Sequence, residues 1–230
     1  MKSSAYIMTA LAVALIALSS CCKHHKPSRP GGKDKDKTEE ESPWVDIGTV
    51  VDGKKVFWAK CNLGAENEWE YGDLYSWGEL APKSSYFPET QVYKDTPETL
   101  PLTADAANNE LGGKWRMPTK ADFEALLALQ NNEDYTFELM GVLKDGNGND
   151  VWGLKITRKS TGKVLFFPAA GDSYGDSPSN VGSIGRYWTS NFYYTFNYPE
   201  SSVLGFTNGH AGTGSIRAYM GLSIRPVCDE

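Results

Sequence analysis

Little in this chain of 230 residues points to a catalyst. It holds three histidines, two of them adjacent near the start (His24, His25), so His210 is the one imidazole beyond residue 42. No Gly-x-Ser-x-Gly, His-Glu-x-x-His or phosphate-cradling glycine loop occurs, which removes the usual signs of a serine nucleophile, a zinc protease or a nucleotide site. Carboxylates are plentiful but lack distinctive spacing; Glu66, Glu68 and Glu70 alternate as a solvated edge does. No cysteine lies between Cys61 and Cys228, so that stretch has no thiol for redox or nucleophilic work. There is no internal repeat. Basic residues are too few for a nucleic-acid partner: residues 43–230 carry 16 Lys and Arg against 24 Asp and Glu, the wrong balance for neutralising phosphates. No apolar run reaches the roughly 20 residues that span a bilayer.

What is present begins with an export signal. Lys2 supplies a positive start, and residues 6–18 form an apolar core of signal-peptide length. It ends in Leu18-Ser19-Ser20-Cys21, which resembles a bacterial lipobox. Residues 1–20 are therefore expected to be a lipoprotein signal peptide, with Cys21 the lipidated residue and the membrane a partner through that anchor. Several acyl chains hold stably, since each buried methylene contributes about 0.8 kcal/mol. Residues 21–42 carry six basic and five acidic side chains and no apolar residue beyond Cys22, so they read as a disordered tether. His24-His25 lacks further ligands, so no metal site and no cofactor are assigned. The expected location is the cell envelope, lipid-anchored to the outer membrane, on its surface or its periplasmic face.

Residues 43–230 form the one expected globular domain. Asp52-Gly53 between two apolar segments signals a hairpin. A first short helix is expected over residues 104–110, capped by Thr103 and stopped by Gly112-Gly113. A second starts at Thr119, with Asp122 three residues on as a near capping box, and ends at Asn131-Asn132. Short strands are expected over 139–143, 151–157 and 164–167. Asp145 to Asp150 reads as a plain turn, because it lacks the glycine and the late glutamate of a calcium loop. A long irregular region spans 171–215, and a terminal strand closes the chain at 221–227. Few helices among many short strands reads as α+β.

Several separated segments occur in a specific order: Trp44-Val45-Asp46-Ile47-Gly48, Trp58-Ala59-Lys60-Cys61-Asn62-Leu63-Gly64-Ala65, Tyr75-Ser76-Trp77-Gly78-Glu79, Asp105-Ala106-Ala107, Gly112-Gly113-Lys114-Trp115-Arg116-Met117-Pro118-Thr119, Phe167-Pro168-Ala169-Ala170-Gly171, Gly185-Arg186-Tyr187-Trp188-Thr189-Ser190 and Gly221-Leu222-Ser223-Ile224-Arg225-Pro226-Val227. Together they resemble the Fibrobacter succinogenes major paralogous domain family over nearly all of residues 44–227. The resemblance implies a C-type-lectin-like fold of two short helices, small twisted antiparallel sheets and a long loop region. Residues 115–119 also resemble part of the formylglycine-generating enzymes, which share that broad fold, but the late cysteine pair of their oxidation chemistry is missing here. Arg116 is expected to be structural, bonding loop carbonyls. The Glu-Pro-Asn, Gln-Pro-Asp and Trp-Asn-Asp signatures of calcium-dependent lectins are absent too.

The functional cue is the run of aromatics among Ser, Asn, Thr and Gly after residue 171, the make-up of adaptable binding loops. Tyr187, Trp188 and Phe206 are assigned to the core. Tyr193, Tyr194 and Tyr198, with Asn191, Asn197 and His210, are the candidate ligand-binding residues. Cys61 and Cys228 are either a disulfide or two free thiols. The expectation is a non-catalytic recognition domain for a glycan or protein ligand. The alternatives are a structural or assembly subunit of a surface fibre and, last, an enzyme on the formylglycine-generating-enzyme-like fold.

Overall fold

A computed structural model describes residues 42–194 and 199–230. The chain enters at β1 (Trp44–Val51) and turns into β2 (Lys54–Ala59). Asp52 and Gly53 both take positive φ, 49° and 77°, the twist a two-residue hairpin needs. After a strand-poor segment come α1 (Ala106–Leu111), β3 (Trp115–Arg116) and α2 (Lys120–Ala128). Next follow β4 (Tyr135–Lys144), β5 (Asp150–Arg158) and β6 (Val164–Pro168), then the two-residue pair β7 (Asp172–Ser173) and β8 (Pro178–Ser179). β9 (Gly185–Tyr194), β10 (Pro199–Phe206), β11 (Ala211–Arg217) and β12 (Val227–Asp229) complete the order. The sheets are small and antiparallel: β1-β2-β12-β3, β4-β5-β6 and β11-β10-β9. With two short α-helices among the described residues, the architecture is α+β and mostly β.

Aromatics fill the space between the sheets. One cluster joins Trp58, Phe123, Phe167, Tyr187 and Phe206; a second joins Tyr75, Trp77, Trp188, Leu222 and Ile224. Tyr187, Trp188 and Phe206 are thus core residues, as their positions suggested. Burying an indole requires a partner for its N–H. Each has one: Trp58 donates to Thr49 Oγ1 (3.0 Å), Trp77 to the Thr189 carbonyl (2.9 Å) and Trp188 to the Tyr75 carbonyl (2.7 Å). Burial pushes the Tyr187 phenol up to about 12.

Arg225 lies between these layers with no exposed surface. It donates to Asn62 Oδ1 (2.9 Å) and to the carbonyls of Ala59 (3.0 Å), Lys60 and Phe166 (2.7 Å), with its guanidinium over the Phe167 ring. Backbone dipoles, rather than a carboxylate, solvate this cation.

Three expectations need correction, and one open question is answered. Residues 171–215 are not one long loop, since they hold β7 to β11. Their Gly, Ser and Asn content masked pleated segments whose pairing partners supply the order that propensity does not. The first helix is capped by Asp105, whose carboxylate accepts from Asn108 N at 3.0 Å, while the residues around Thr103 form a separate 3-10 turn. The terminal strand is Val227–Asp229; residues 221–223 make isolated bridges to Ser173, Tyr75 and Tyr187. Of the two states left open for Cys61 and Cys228, the structure has no disulfide between them, and the Cys61 thiol donates to the Glu66 carbonyl at 3.5 Å.

Candidate functional site

One concavity is an open groove of about 710 Å³. It runs from the β1–β2 turn, past the start of α2, to the end of β9. Its floor is an ion network set by three elements. β3 places Arg116 next to β12, because Arg116 pairs with Val227. α2 begins four residues after Arg116 and brings Asp122 underneath. The Arg116 guanidinium donates from Nη1 to Asp122 Oδ2 (2.6 Å) and to the Met117 carbonyl (3.2 Å). From Nη2 it donates to Asp122 Oδ1 (3.3 Å) and Asp229 Oδ1 (2.6 Å), and from Nε to Asp229 Oδ2 (3.3 Å). Burial by itself would lower the Arg116 pKa; the bonds to Asp122 and Asp229 outweigh it and raise it. Arg116 is therefore structural, through carboxylates more than through the loop carbonyls expected of it.

The N-terminus of α2 forms the next part of the groove. Thr119 and Asp122 make the capping box: Thr119 Oγ1 accepts from Asp122 N (3.1 Å) and Asp122 Oδ2 accepts from Thr119 N (2.6 Å). Beside it Asn191, on β9, also lines the groove. Its Oδ1 accepts from Lys120 N (2.7 Å) and its Nδ2 donates to Thr99 Oγ1 (3.2 Å). The Asn191 side chain thus holds β9 against α2, and its neighbour two residues on stands in the groove with it.

That neighbour is Tyr193, 49% exposed on the groove wall. Phe192 between them points the other way and packs on Trp77, ring centroids 5.5 Å apart, which follows from the alternation of side chains along a strand. Glu98 lines the groove near Tyr193, and its carbonyl accepts from Phe192 N at 3.0 Å. At the far end stand Asp52 and Lys54 of the hairpin turn.

The other candidates fall elsewhere. His210 sits on the exposed β10–β11 turn, where its carbonyl accepts from Thr207 N at 2.8 Å. Tyr193 pairs with Glu200 at the opposite end of β10, about 20 Å away at strand rise, so His210 and Tyr193 do not share a site. Tyr194 ends β9, but its side chain lies outside the described residues, as do Tyr198, Asn197 and Cys21. Asp145 forms the plain turn expected, its carboxylate accepting from Asn147 N and Asn149 N, each at 2.8 Å. Among the described residues no group of three or more His, Cys, Asp or Glu is placed to hold a metal ion, and no helix is long and apolar enough to cross a membrane.

Sequence reasoning missed Asp52, Lys54, Glu98 and Asp229 as groove residues. Asn191 and Tyr193 pointed toward this place through composition, and the capping box did so as a helix signal. No family model, curated protein or solved structure matches the chain.

Proposed function

We propose that this is a lipid-anchored protein of the cell envelope whose C-type-lectin-like globular part recognises a glycan in the groove beside α2. The observation that carries the reading is the half-exposed Tyr193 ring on the wall of a groove whose other lining residues are mostly polar or charged, with Val51, Ala121 and Phe192 among them. A sugar needs such a pair of features: an aromatic face for its C–H surface and fixed polar groups for its hydroxyls. The rest of the groove favours preorganisation, since Arg116, Asp122, Thr119 and Asn191 are locked by mutual hydrogen bonds before any ligand arrives. The hydroxyl that meets a carboxylate there, Thr119 Oγ1 donating to Asp122 Oδ2 at 2.8 Å, belongs to the cap of α2, and the reading put forward is recognition rather than catalysis.

The test is a glycan-array screen of the intact chain, with and without calcium, beside Tyr193→Ala. Specific binding that Tyr193→Ala abolishes is the expected result. A folded chain that binds nothing in either condition would sink this reading.

A second reading, assembly with sister subunits, is favoured by one feature. A cleft of about 570 Å³ between residues 78–81 and 92–95 carries Leu80 and Val92, the latter 80% exposed, and such exposed apolar side chains suit a protein contact. Concentration-dependent oligomers in sedimentation velocity, lost in Val92→Lys, would favour it.

A further inference from the structure

We infer that the groove selects neutral or amino-bearing sugars and rejects acidic ones such as uronates. This rests on the glycan reading above and goes beyond it by naming the ligand's charge.

An acidic sugar needs free hydrogen-bond donors, preferably cationic ones. The groove has donors, and most of its charged and helix-start donors are occupied. A guanidinium has five N–H groups. Those of Arg116 meet five acceptors: both oxygens of Asp122, both of Asp229 and the Met117 carbonyl. The start of a helix also attracts anions, through its unpaired N–H groups. Here Thr119 N is taken by Asp122, Asp122 N by Thr119 and Lys120 N by Asn191. The Lys120 ammonium pairs with Glu124 at 3.4 Å. Lys54 remains, at the exposed hairpin tip, as the one groove cation without an ion partner.

Acceptors are the opposite case. Glu98 and Asp52 have no ion partner and line the groove, and the Asp229 side chain is 42% exposed while bound to Arg116. Five carboxylates in all face three cations there. Hydroxyl and ammonium groups can donate to these oxygens. A ligand carboxylate would meet uncompensated negative charge, a juxtaposition that interfaces use to exclude wrong partners. Tyr193 supplies stacking whatever the charge of the sugar. The discrimination therefore lies in the free carboxylates and not in the ring.

The experiment is calorimetric titration of the intact chain with three trimers of similar size: N-acetylglucosamine (neutral), glucosamine (amino) and galacturonate (acidic). The expected result is binding of the first two, with the uronate weaker by about tenfold or more. Tyr193→Ala should weaken both bound sugars about tenfold. Glu98→Gln should weaken glucosamine selectively. Glu98→Lys should let the uronate bind, a gain that misfolding cannot produce. Uronate binding as tight as the neutral trimer and lost in Tyr193→Ala would overturn the inference while leaving the glycan reading intact. So would Glu98→Lys leaving the preference unchanged while the neutral trimer still binds. No binding of any trimer by a chain with a cooperative thermal melt would overturn the groove reading itself, and the charge inference with it.

Discussion

Two arginines do opposite jobs, and neither job is visible at the level of residue type. Arg225 is wholly buried and serves Ala59, Lys60 and Phe166 carbonyls that would otherwise face an apolar interior. Replacing it by methionine keeps much of the volume but strips the donors from those carbonyls and from Asn62. Unsatisfied buried acceptors cost about 1–3 kcal/mol each. Arg225→Met should therefore lower stability by roughly 3–5 kcal/mol, read as a fall in the urea midpoint at constant slope. Arg116 instead holds two carboxylates of unequal exposure: the Asp122 side chain is fully buried, whereas that of Asp229 is 42% exposed. Arg116→Ala strands the buried charge and should cost about 3 kcal/mol, while Asp229→Asn should cost under about 1 kcal/mol. If the two variants lose equal stability in the same urea titration, the burial argument is wrong. In the sequence both arginines stood inside ordered motifs, which marked the positions without saying whether carbonyls or carboxylates would answer them. That choice depends on Asp229 and Phe166, more than 50 residues from their partners.

At the scale of elements, local chemistry was legible where one turn decides the outcome. Asp52-Gly53, the Thr119–Asp122 box and the Asp145 turn all form as their residue types require. Legibility failed over 171–215, because β9 to β11 are held by pairing with one another and with residues 98–100, information that no local window contains. For the same reason the groove was half legible: Asn191 and Tyr193 were singled out by composition, but their neighbours Glu98 and Asp52 come from distant turns. One inter-element tie makes a pH prediction. Asp134, just before β4, accepts from Ser160 Oγ (2.6 Å), Arg158 Nε (3.0 Å) and Ser160 N (2.8 Å) in the β5–β6 turn. These bonds hold its carboxyl below the ordinary value of 3.8. A folded pKa below the unfolded one means the contribution is complete above pH 3.8 and is lost as pH falls from there through the folded value. Asp134→Asn should thus destabilise the chain at pH 7 and flatten the acid end of its stability curve. An unchanged slope of melting temperature against pH in that acid window would refute the linkage.

The whole molecule is closed by its last strand. β12 lies between β2 and β3, so the ends of the domain meet in one sheet. Cys61 and Cys228 stand near those ends, and a bond between them would have closed a long loop, an effect on the order of 5 kcal/mol in the loop-entropy picture. With no disulfide between them, adding a reductant should leave the melting temperature unchanged. Closure then rests on β12 itself. Val227 is fully buried against the Trp58 cluster, the strand pairs with β2 on one side and β3 on the other, and Asp229 anchors Arg116. Deleting residues 227–230 removes all three contributions at once and opens an edge on each neighbour. It also removes the Arg116 partner that fixes the groove floor. The expected outcome is loss of the cooperative thermal transition, with dye binding to exposed apolar surface, rather than a native-like domain of slightly lower melting temperature. A truncated chain that still melts cooperatively within a few degrees of the parent would show that the two clusters hold without their closing strand.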